Sequence, residues 1–431
     1  MSRTVINPIL LGSPFPIGTI INSLSAPVFD GSTWLACDGS SQSKSTYATL
    51  FSNIGHDYMA FTPTISSGTA PAAITCGMYF NGTHWAYTNG ATSYYYSSNG
   101  STWSTVTLSN SVASPRITNY VPANTSIVYN TSGTAANIST NTNGSETWGT
   151  HTLPIQPSRY NIAPGNSTTN FLYVVDGSQT VYTMANGGTT WTTTASALPA
   201  SVASGNALGV VWWDGTNWNV INQGKGLLYQ TSTASGKGGW TTANSGNPLF
   251  YLQIFPTGNA VTTALSNAPN VVLLNAQGIS YVSTTSLASD FISYPQPAPF
   301  AGVPALSGST QPNIISVFWN GFCYVAIGSS STTLPPSIMT SKDAKKWHIV
   351  TGITNANTLN FVLNITGAGL DCPTATNNLA NTSNGEFLLQ ATLGNGSGTS
   401  STYYTVLMTP TPTPSTQFSL PNIPGSYIRA L

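Results

Sequence analysis

Charge is what this sequence has least of: Lys, Arg, Asp and Glu make up 5% of its 431 residues, against about 25% in a typical soluble domain. Ten basic and ten acidic side chains cancel to a net charge of zero, and they are scattered singly. That excludes the clustered Lys and Arg on which nucleic-acid binding depends. Only Lys342, Lys345 and Lys346 fall close together, and three lysines around one turn read as a solvated corner. A surface made of Ser, Thr, Asn, Gly and Tyr suits a protein that lives in a large assembly, or outside a cell among proteases that cut at Lys and Arg.

Cysteine is equally sparse. Cys37, Cys76, Cys323 and Cys372 are far apart and form no CxxC or Cys/His spacing, so no structural zinc site is expected and the thiols read as free and buried. No cofactor or metal motif occurs. His56, His84, His151 and His348 show no HxH or HExxH spacing, and there is no GxSxG, P-loop or GxGxxG in a β-α context. Met1 to Gly18 has one basic residue and no long apolar run, so it does not read as a signal peptide. No stretch approaches 18 uncharged apolar residues, so no membrane insertion is expected.

Apolar residues make up 40% of the chain, enough for a sizeable core. Strand formers dominate, and Gly or Asn-Gly punctuation recurs at roughly 8–12-residue intervals, the habit of an all-β fold. One exception is Ser45 to Ile54, where Tyr47, Leu50, Phe51 and Ile54 fall at i, i+3, i+4 and i+7 and predict a short amphipathic helix.

The chain also repeats. A small-polar turn closes on Trp at Ser97–Trp103, Asn143–Trp148, Asn186–Trp191, Ser235–Trp240 and Ser341–Trp347. The tryptophans Trp103, Trp148, Trp191, Trp240 and Trp347 are spaced by 45, 43, 49 and 107 residues. The last gap is two periods, and Ser289-Asp290-Phe291 stands where the missing copy belongs. Before each turn lies a hairpin signal, as in Phe80-Asn81-Gly82, Trp213-Asp214-Gly215 and Trp319-Asn320-Gly321, with Val175-Asp176-Gly177 and Asn384-Gly385 in the same series. Asn/Asp-Gly suits a type I′ turn. A period of this length with four short strands per unit predicts a β-propeller, seven blades by our count with six as the alternative. The seventh copy, around Asn384 to Met408, lacks the Trp turn.

The Trp turns resemble the Asp-box of sialidases and other propellers (the BNR-type repeat), Ser-x-Asp-x-Gly-x-Thr-Trp. Three of the five carry Asn in place of Asp. The resemblance implies a structural role, the side-chain oxygen bonding the turn and the Trp packing between blades. A sialidase also needs an arginine triad, whereas Arg116 and Arg159 are the only arginines apart from Arg3 and Arg429 near the termini.

The ends resemble a different family. Pro16-Ile17-Gly18-Thr19-Ile20-Ile21 opens a pattern that continues through Trp34-Leu35-Ala36-Cys37-Asp38-Gly39 and Tyr47-Ala48-Thr49-Leu50-Phe51-Ser52-Asn53-Ile54-Gly55. This is similar to the phage tail-collar domain of short tail fibres. The family's next block, F-x-LP-D-L-R-G, is missing after Tyr58 and returns as Phe418-Ser419-Leu420-Pro421-Asn422-Ile423-Pro424-Gly425, with Asn422 for Asp and Pro424 for Arg. The expectation is a split collar domain, residues 1–58 and 415–431, with a propeller over 59–414 inserted in a loop. Thr62-Pro63-Thr64 and the Thr-Pro run Thr409 to Pro414 read as linkers into and out of it. Trp34 and Cys37 read as core residues and Asp38 as a cap on backbone amides.

What this implies is a non-enzymatic virion protein with no catalytic residue, cofactor or metal: a tail-fibre, appendage or baseplate subunit. It would assemble with other tail proteins as a homotrimer and present its propeller to a host surface glycan, with receptor-binding residues unassigned. Tyr94-Tyr95-Tyr96 invites a sugar-stacking reading, but a strand with alternate rings in the core is favoured. The alternative is a glycan-degrading depolymerase whose activity would be lost on changing one of Glu146, Asp290 or Glu386, although a glycosidase needs two facing carboxylates and nothing in the sequence pairs these acids or Asp371.

Overall fold

The computed structural model describes residues 15–24, 33–72, 79–80, 83–88, 91–112, 115–120, 125–130, 132–140, 147–156, 162–175, 177–200, 209–222, 227–243, 261–265, 271–275, 280–283, 292–294, 313–329, 337–349, 360–362, 380–381, 384–394 and 403–431. Seven antiparallel sheets of four or five strands follow one another along the chain. Six are meanders in chain order: blade 1 (79–112), blade 2 (115–152), blade 3 (163–194), blade 4 (209–242), blade 5 (261–294) and blade 6 (313–349). The first strands of blades 2 to 6 adjoin in turn, so they line the ring axis and the fourth strands face outward. The chain is a seven-bladed β-propeller.

Stacking blades in a ring buries both faces of the inner strands, and the sequence shows it. Every residue of Thr169–Val174 is buried. Its Phe171 and Tyr173 pack with Ile127 and Tyr129 of blade 2, while Leu172 and Val174 pack with Val211, Trp218 and Val220 of blade 4. The same geometry corrects the reading of the Tyr triplet. Tyr94 and Tyr95 are both buried although they point to opposite faces, and only Tyr96 is half-buried. Alternation applies to a sheet with one wet face; an inner blade strand has none.

Blade 7 closes the ring with strands from both ends of the propeller segment. Asn360–Val362, Glu386–Gly394 and Tyr403–Thr411 are completed by Ala60–Ala70, which pairs antiparallel with Tyr403–Thr411 from Ala60↔Thr411 to Ala70↔Tyr403. Thr62-Pro63-Thr64 and Thr409 to Thr411 are therefore paired strand rather than linker. Pro63 is tolerated because Ala60–Ala70 is an edge strand.

The collar sheet is built from sequence-distant pieces. Asn422–Arg429 lies between Ile20–Asn22 and Trp34–Asp38, and Gln417–Ser419 pairs with Ser41–Ser43. The helix forms at Ala48–Ile54 and turns Leu50 and Ile54 inward, onto Cys37, Phe418, Leu420, Ile428 and Ala430.

The hairpins between first and second strands differ from the expected two-residue turns. Trp213 pairs with Trp218 and Trp319 with Tyr324, so each loop has four residues. Within them only Gly215 (φ +98°) and Gly321 (φ +94°) have positive φ. Asp214 and Asn320 instead take main-chain N–H groups two and three residues ahead on their side-chain oxygens, an Asx turn. Val175 to Gly177 does not belong to this series: it lies between the second and third strands of blade 3, at the opposite end of the blade.

Candidate functional site: the collar mount and the faces of the propeller

The collar residues singled out by pattern converge. Trp34, Cys37, Leu420 and Pro421 are all buried. Gly18 (φ +93°) donates its N–H to Arg429 O at 2.9 Å, and Gly39 (φ +77°) donates to Pro421 O at 3.1 Å, stitching the two halves together. Asp38 Oδ1 accepts the Ser40 N–H at 2.9 Å, and hydrogen bonding from the Ser40 side chain and then its main chain holds the Asp38 carboxyl below the usual range. Cys37 is free, and burial with Asp38 nearby pushes its thiol up to about 11, far from a nucleophile's range. Cys323 is likewise free and fully buried; Cys76 and Cys372 lie outside the described residues.

Each Trp turn joins the third and fourth strands of its blade. Asn99 Oδ1 accepts from the N–H groups of Ser101 and Thr102 at 2.9 and 2.8 Å, and Asp343 Oδ1 accepts from Lys345 N–H at 2.9 Å. Gly100, Gly187 and Gly236 supply left-handed φ, and at the equivalent place in blade 6 Ala344 adopts φ +61°. The tryptophans reach towards the preceding blade: Trp148 lies 4.8 Å from Tyr94 of blade 1 with the rings tilted by 58°, and Trp240 joins Leu172 and Val174 of blade 3. Trp191 is 6.5 Å from His151 of blade 2, and Trp103 packs against the cluster holding Phe387 and Leu388 of blade 7. Trp347 is buried as well. Ser289-Asp290-Phe291 lies outside the described residues.

Blade 7 has no Trp turn because the collar occupies its place. The fourth strand begins at Ala60, where the N-terminal part of the collar ends, and the third strand ends at Thr411, where the C-terminal part begins, so the collar lies between them in place of a turn. The collar consequently sits on the end of the ring that carries the Trp turns and the Asx hairpins.

It is seated there by residues 53–61. Asp57 is the centre of the seat: its carbonyl accepts the Thr340 hydroxyl at 2.5 Å, and Oδ1 accepts the Lys342 N–H at 2.6 Å. The Lys342 ammonium donates to Asn53 O, and Gly55 lies so close that a Cβ there would sit 3.1 Å from Lys342 Cβ. The Tyr58 ring lies 4.4 Å from His348, and His56 meets Phe322 edge-on at 5.8 Å. Asn320 Nδ2 reaches Met59 Sδ and Gly385 O. Met59 and Phe61 enter a core shared with blades 1, 6 and 7. Lys342 is therefore not part of a solvated corner.

Burial pushes the Asp57 carboxyl up to about 6, against the Lys342 N–H which favours the anion. His348 Nε2 is 3.9 Å from Asp57 Oδ2, beyond hydrogen-bond reach, and burial holds its pKa down. Desolvation drives both groups towards neutrality. Sequence reasoning missed this seat, yet one signal was present: Ser341–Trp347 is the only Trp turn with more than one charge.

Of the carboxylates considered for glycan cleavage, Glu386 accepts from the Thr409 hydroxyl at 3.3 Å. Glu146, Asp290 and Asp371 lie outside the described residues, as do Arg159 and the Arg116 side chain. Among the described residues there is no group of three or more His, Cys, Asp or Glu able to hold a metal ion, and no helix long and apolar enough to cross a membrane.

The fold defines the class first. U3-55K, a β-propeller protein, superposes with a TM-score of 0.51 at 10% identity, covering 80% of this chain and 98% of that one. The virginiamycin B lyase of Staphylococcus aureus gives 0.49 at 9% identity over 81% and 99%, and YCF48 of Cyanidioschyzon merolae gives 0.43 at 12% over 82% and 96%. These likenesses concern the fold alone. No curated protein sequence matches this chain. Near the N-terminal end, residues 18–60 match the Phage Tail Collar Domain. The chain is a β-propeller protein carrying a phage tail collar domain.

Proposed function

We propose that this chain is a non-enzymatic tail-fibre or appendage subunit of the virion, trimeric through its collar, which holds the propeller outward for host recognition. The collar match over residues 18–60 carries this reading. The seat around Asp57 supports it, because an antiparallel strand pair and a packed side-chain seat hold the propeller more firmly than a flexible tether does. Its partners are the other tail proteins. The charged side chains with described bonds fit a structural role: Asp38, Asp57, Asp214, Asp343 and Glu386 all accept bonds from nearby main-chain or hydroxyl groups.

The test is peptide mass spectrometry on purified particles together with the native mass of the isolated protein. Presence in the particle and a trimeric mass are expected. A monomer absent from particles overturns the reading. Release of reducing sugar from host polysaccharide would replace it with the depolymerase alternative.

A further inference from the structure

Asn-Gly occurs eight times in the chain, and four of the pairs lie among the described residues: Asn99-Gly100, Asn186-Gly187, Asn320-Gly321 and Asn384-Gly385. In this dipeptide the glycine nitrogen, with no side chain beside it, reaches the amide carbon of the preceding Asn and closes a five-membered ring. At 100, 187 and 385 the glycine has nearly the same backbone, φ +69°, +69° and +71°, and the Asn before it is exposed. What separates the three is how the side-chain amide is held.

Asn99 Oδ1 accepts three bonds, from Ser101 N–H at 2.9 Å, Thr102 N–H at 2.8 Å and the Ser97 hydroxyl at 3.1 Å. Among the described residues nothing accepts from its Nδ2. Asn186 is the reverse: its Nδ2 donates to Ser167 O at 3.0 Å, and no described group donates to its Oδ1. Asn320 is buried and held at both ends, Oδ1 by the Phe322 and Cys323 N–H groups and Nδ2 on Gly385 O at 3.3 Å. Three donors converging on one amide oxygen are the arrangement that stabilises an oxyanion when a nucleophile adds to a carbonyl. The nucleophile is next in the chain, and its peptide is anchored. Gly100 O accepts the Thr405 hydroxyl of blade 7, and a Cβ at Gly100 would lie 2.7 Å from Leu388 Cδ2.

We propose that the Trp turn of blade 1 promotes its own deamidation at Asn99 and leaves an aspartate there. Water takes the Gly100 amide proton, the nitrogen bonds to Asn99 Cγ, and negative charge gathers on Oδ1 beneath its donors. The Cγ–Nδ2 bond then breaks, and ammonia leaves with a proton from solvent. Water reopens the succinimide. Opening at Cγ gives aspartate with the main chain intact, whereas opening at the main-chain carbonyl gives isoaspartate.

The turn selects between these products. Blade 6 carries Asp343 at the equivalent place, where Oδ1 accepts the Lys345 N–H at 2.9 Å and the Ser341 hydroxyl at 3.4 Å. Asp343 N–H reaches Ser341 Oγ at 3.4 Å, just as Asn99 N–H reaches Ser97 Oγ at 3.4 Å. A carboxylate at 99 keeps the existing bonds and strengthens them by its charge. Isoaspartate would add a main-chain atom and break their register. Deamidation thus brings the blade 1 turn to the form of blade 6. It also adds one negative charge to a chain of net charge zero, in a proportion that rises with the age of the protein.

The experiment incubates the full chain, native and in urea, over a series of neutral to mildly alkaline pH values. Chymotryptic peptides are then read by electron-transfer fragmentation, which separates aspartate from isoaspartate. In the native protein Asn99 should convert about tenfold faster than Asn186 or Asn384, faster at higher pH and chiefly to aspartate, while Asn320 stays intact. In urea the lead of Asn99 should vanish and isoaspartate should appear at all four sites. Ser97→Ala removes one donor but neither reacting group, and should slow Asn99 about threefold. Asn99→Asp should melt no lower than the parent. If Ser97→Ala fails to fold, the native and urea reactions of the parent decide alone. Asn99 remaining amidated while Asn186 or Asn384 converts, a lead that persists in urea, or isoaspartate as the main native product overturns the proposal.

Discussion

Replacing Asp57 by asparagine tests the physics of the collar seat. Burial raises the Asp57 carboxyl from 3.8 to about 6. The charged form is thus disfavoured in the folded protein by about 3 kcal/mol. A carboxyl raised in the folded state contributes its stability in full below the unfolded pKa, and that contribution disappears as pH rises through about 6. An asparagine at this position would still accept the Lys342 N–H without carrying charge. Asp57→Asn should therefore match the parent near pH 4 and exceed it by roughly 2–3 kcal/mol at pH 7.5. The buried histidines work the other way. His56, lowered to about 4, and His348, also lowered, favour the folded state above their unfolded pKa and withdraw that support in acid. The difference between variant and parent cancels them except through the His348 contact, which the double variant with His348→Gln isolates. Calorimetry from pH 4 to 8 reads the effect as a gain in melting temperature that grows with pH. A variant less stable than the parent at pH 7.5 would show that Lys342 and Lys346 stabilise the anion by more than its burial costs, and the argument would fail.

Further predictions concern the blades. Gly236→Ala places a Cβ against Leu172 Cδ1 at φ +67°, while Gly187→Ala at φ +69° meets nothing within 4 Å; the second should cost about 1 kcal/mol of backbone strain alone and the first clearly more, by denaturant titration. Ala344→Gly, which relieves φ +61°, should raise stability by up to about 1 kcal/mol on the same assay. Trp148→Ala should cost about 3–5 kcal/mol, because that ring is 4% exposed against Tyr94, and Trp191→Ala should cost less because its ring is only half-buried. In the folded protein Cys37 and Cys323 should resist iodoacetamide at pH 8, since both are buried and raised in pKa; rapid labelling of either would contradict the packing.

Much of the architecture was legible because its signals are local. A Trp turn is an Asx or Ser side chain reaching two or three residues along the chain, as Asn99 does for Ser101 and Thr102. Repeating that device at blade spacing led to the count of seven, and the helix at Ala48–Ile54 followed from apolar spacing within one short segment. Local signals misled where a blade has two dry faces, as with Tyr94 and Tyr95, and where a hairpin signal marks a different connection, as at Val175 to Gly177. Proline misled too: Pro63 and Pro410 suggested linkers, yet both sit within the paired strands of blade 7.

The sequence by itself determined the all-β character, the Trp turns and blade period that favoured seven blades over six, the short helix and the collar match near the N-terminal end. Those depend on residues a few positions apart, whose preferences survive whatever the rest of the chain does. Only the tertiary structure decided how the ring closes, that the collar stands in place of the seventh Trp turn, and that Asp57 is enclosed by Thr340, Lys342 and His348. The bonds from Thr340 and Lys342 span 283 and 285 residues. No local preference encodes such pairings; they arise because a closed ring brings its first and last strands together and buries whatever lies between the ring and its mount.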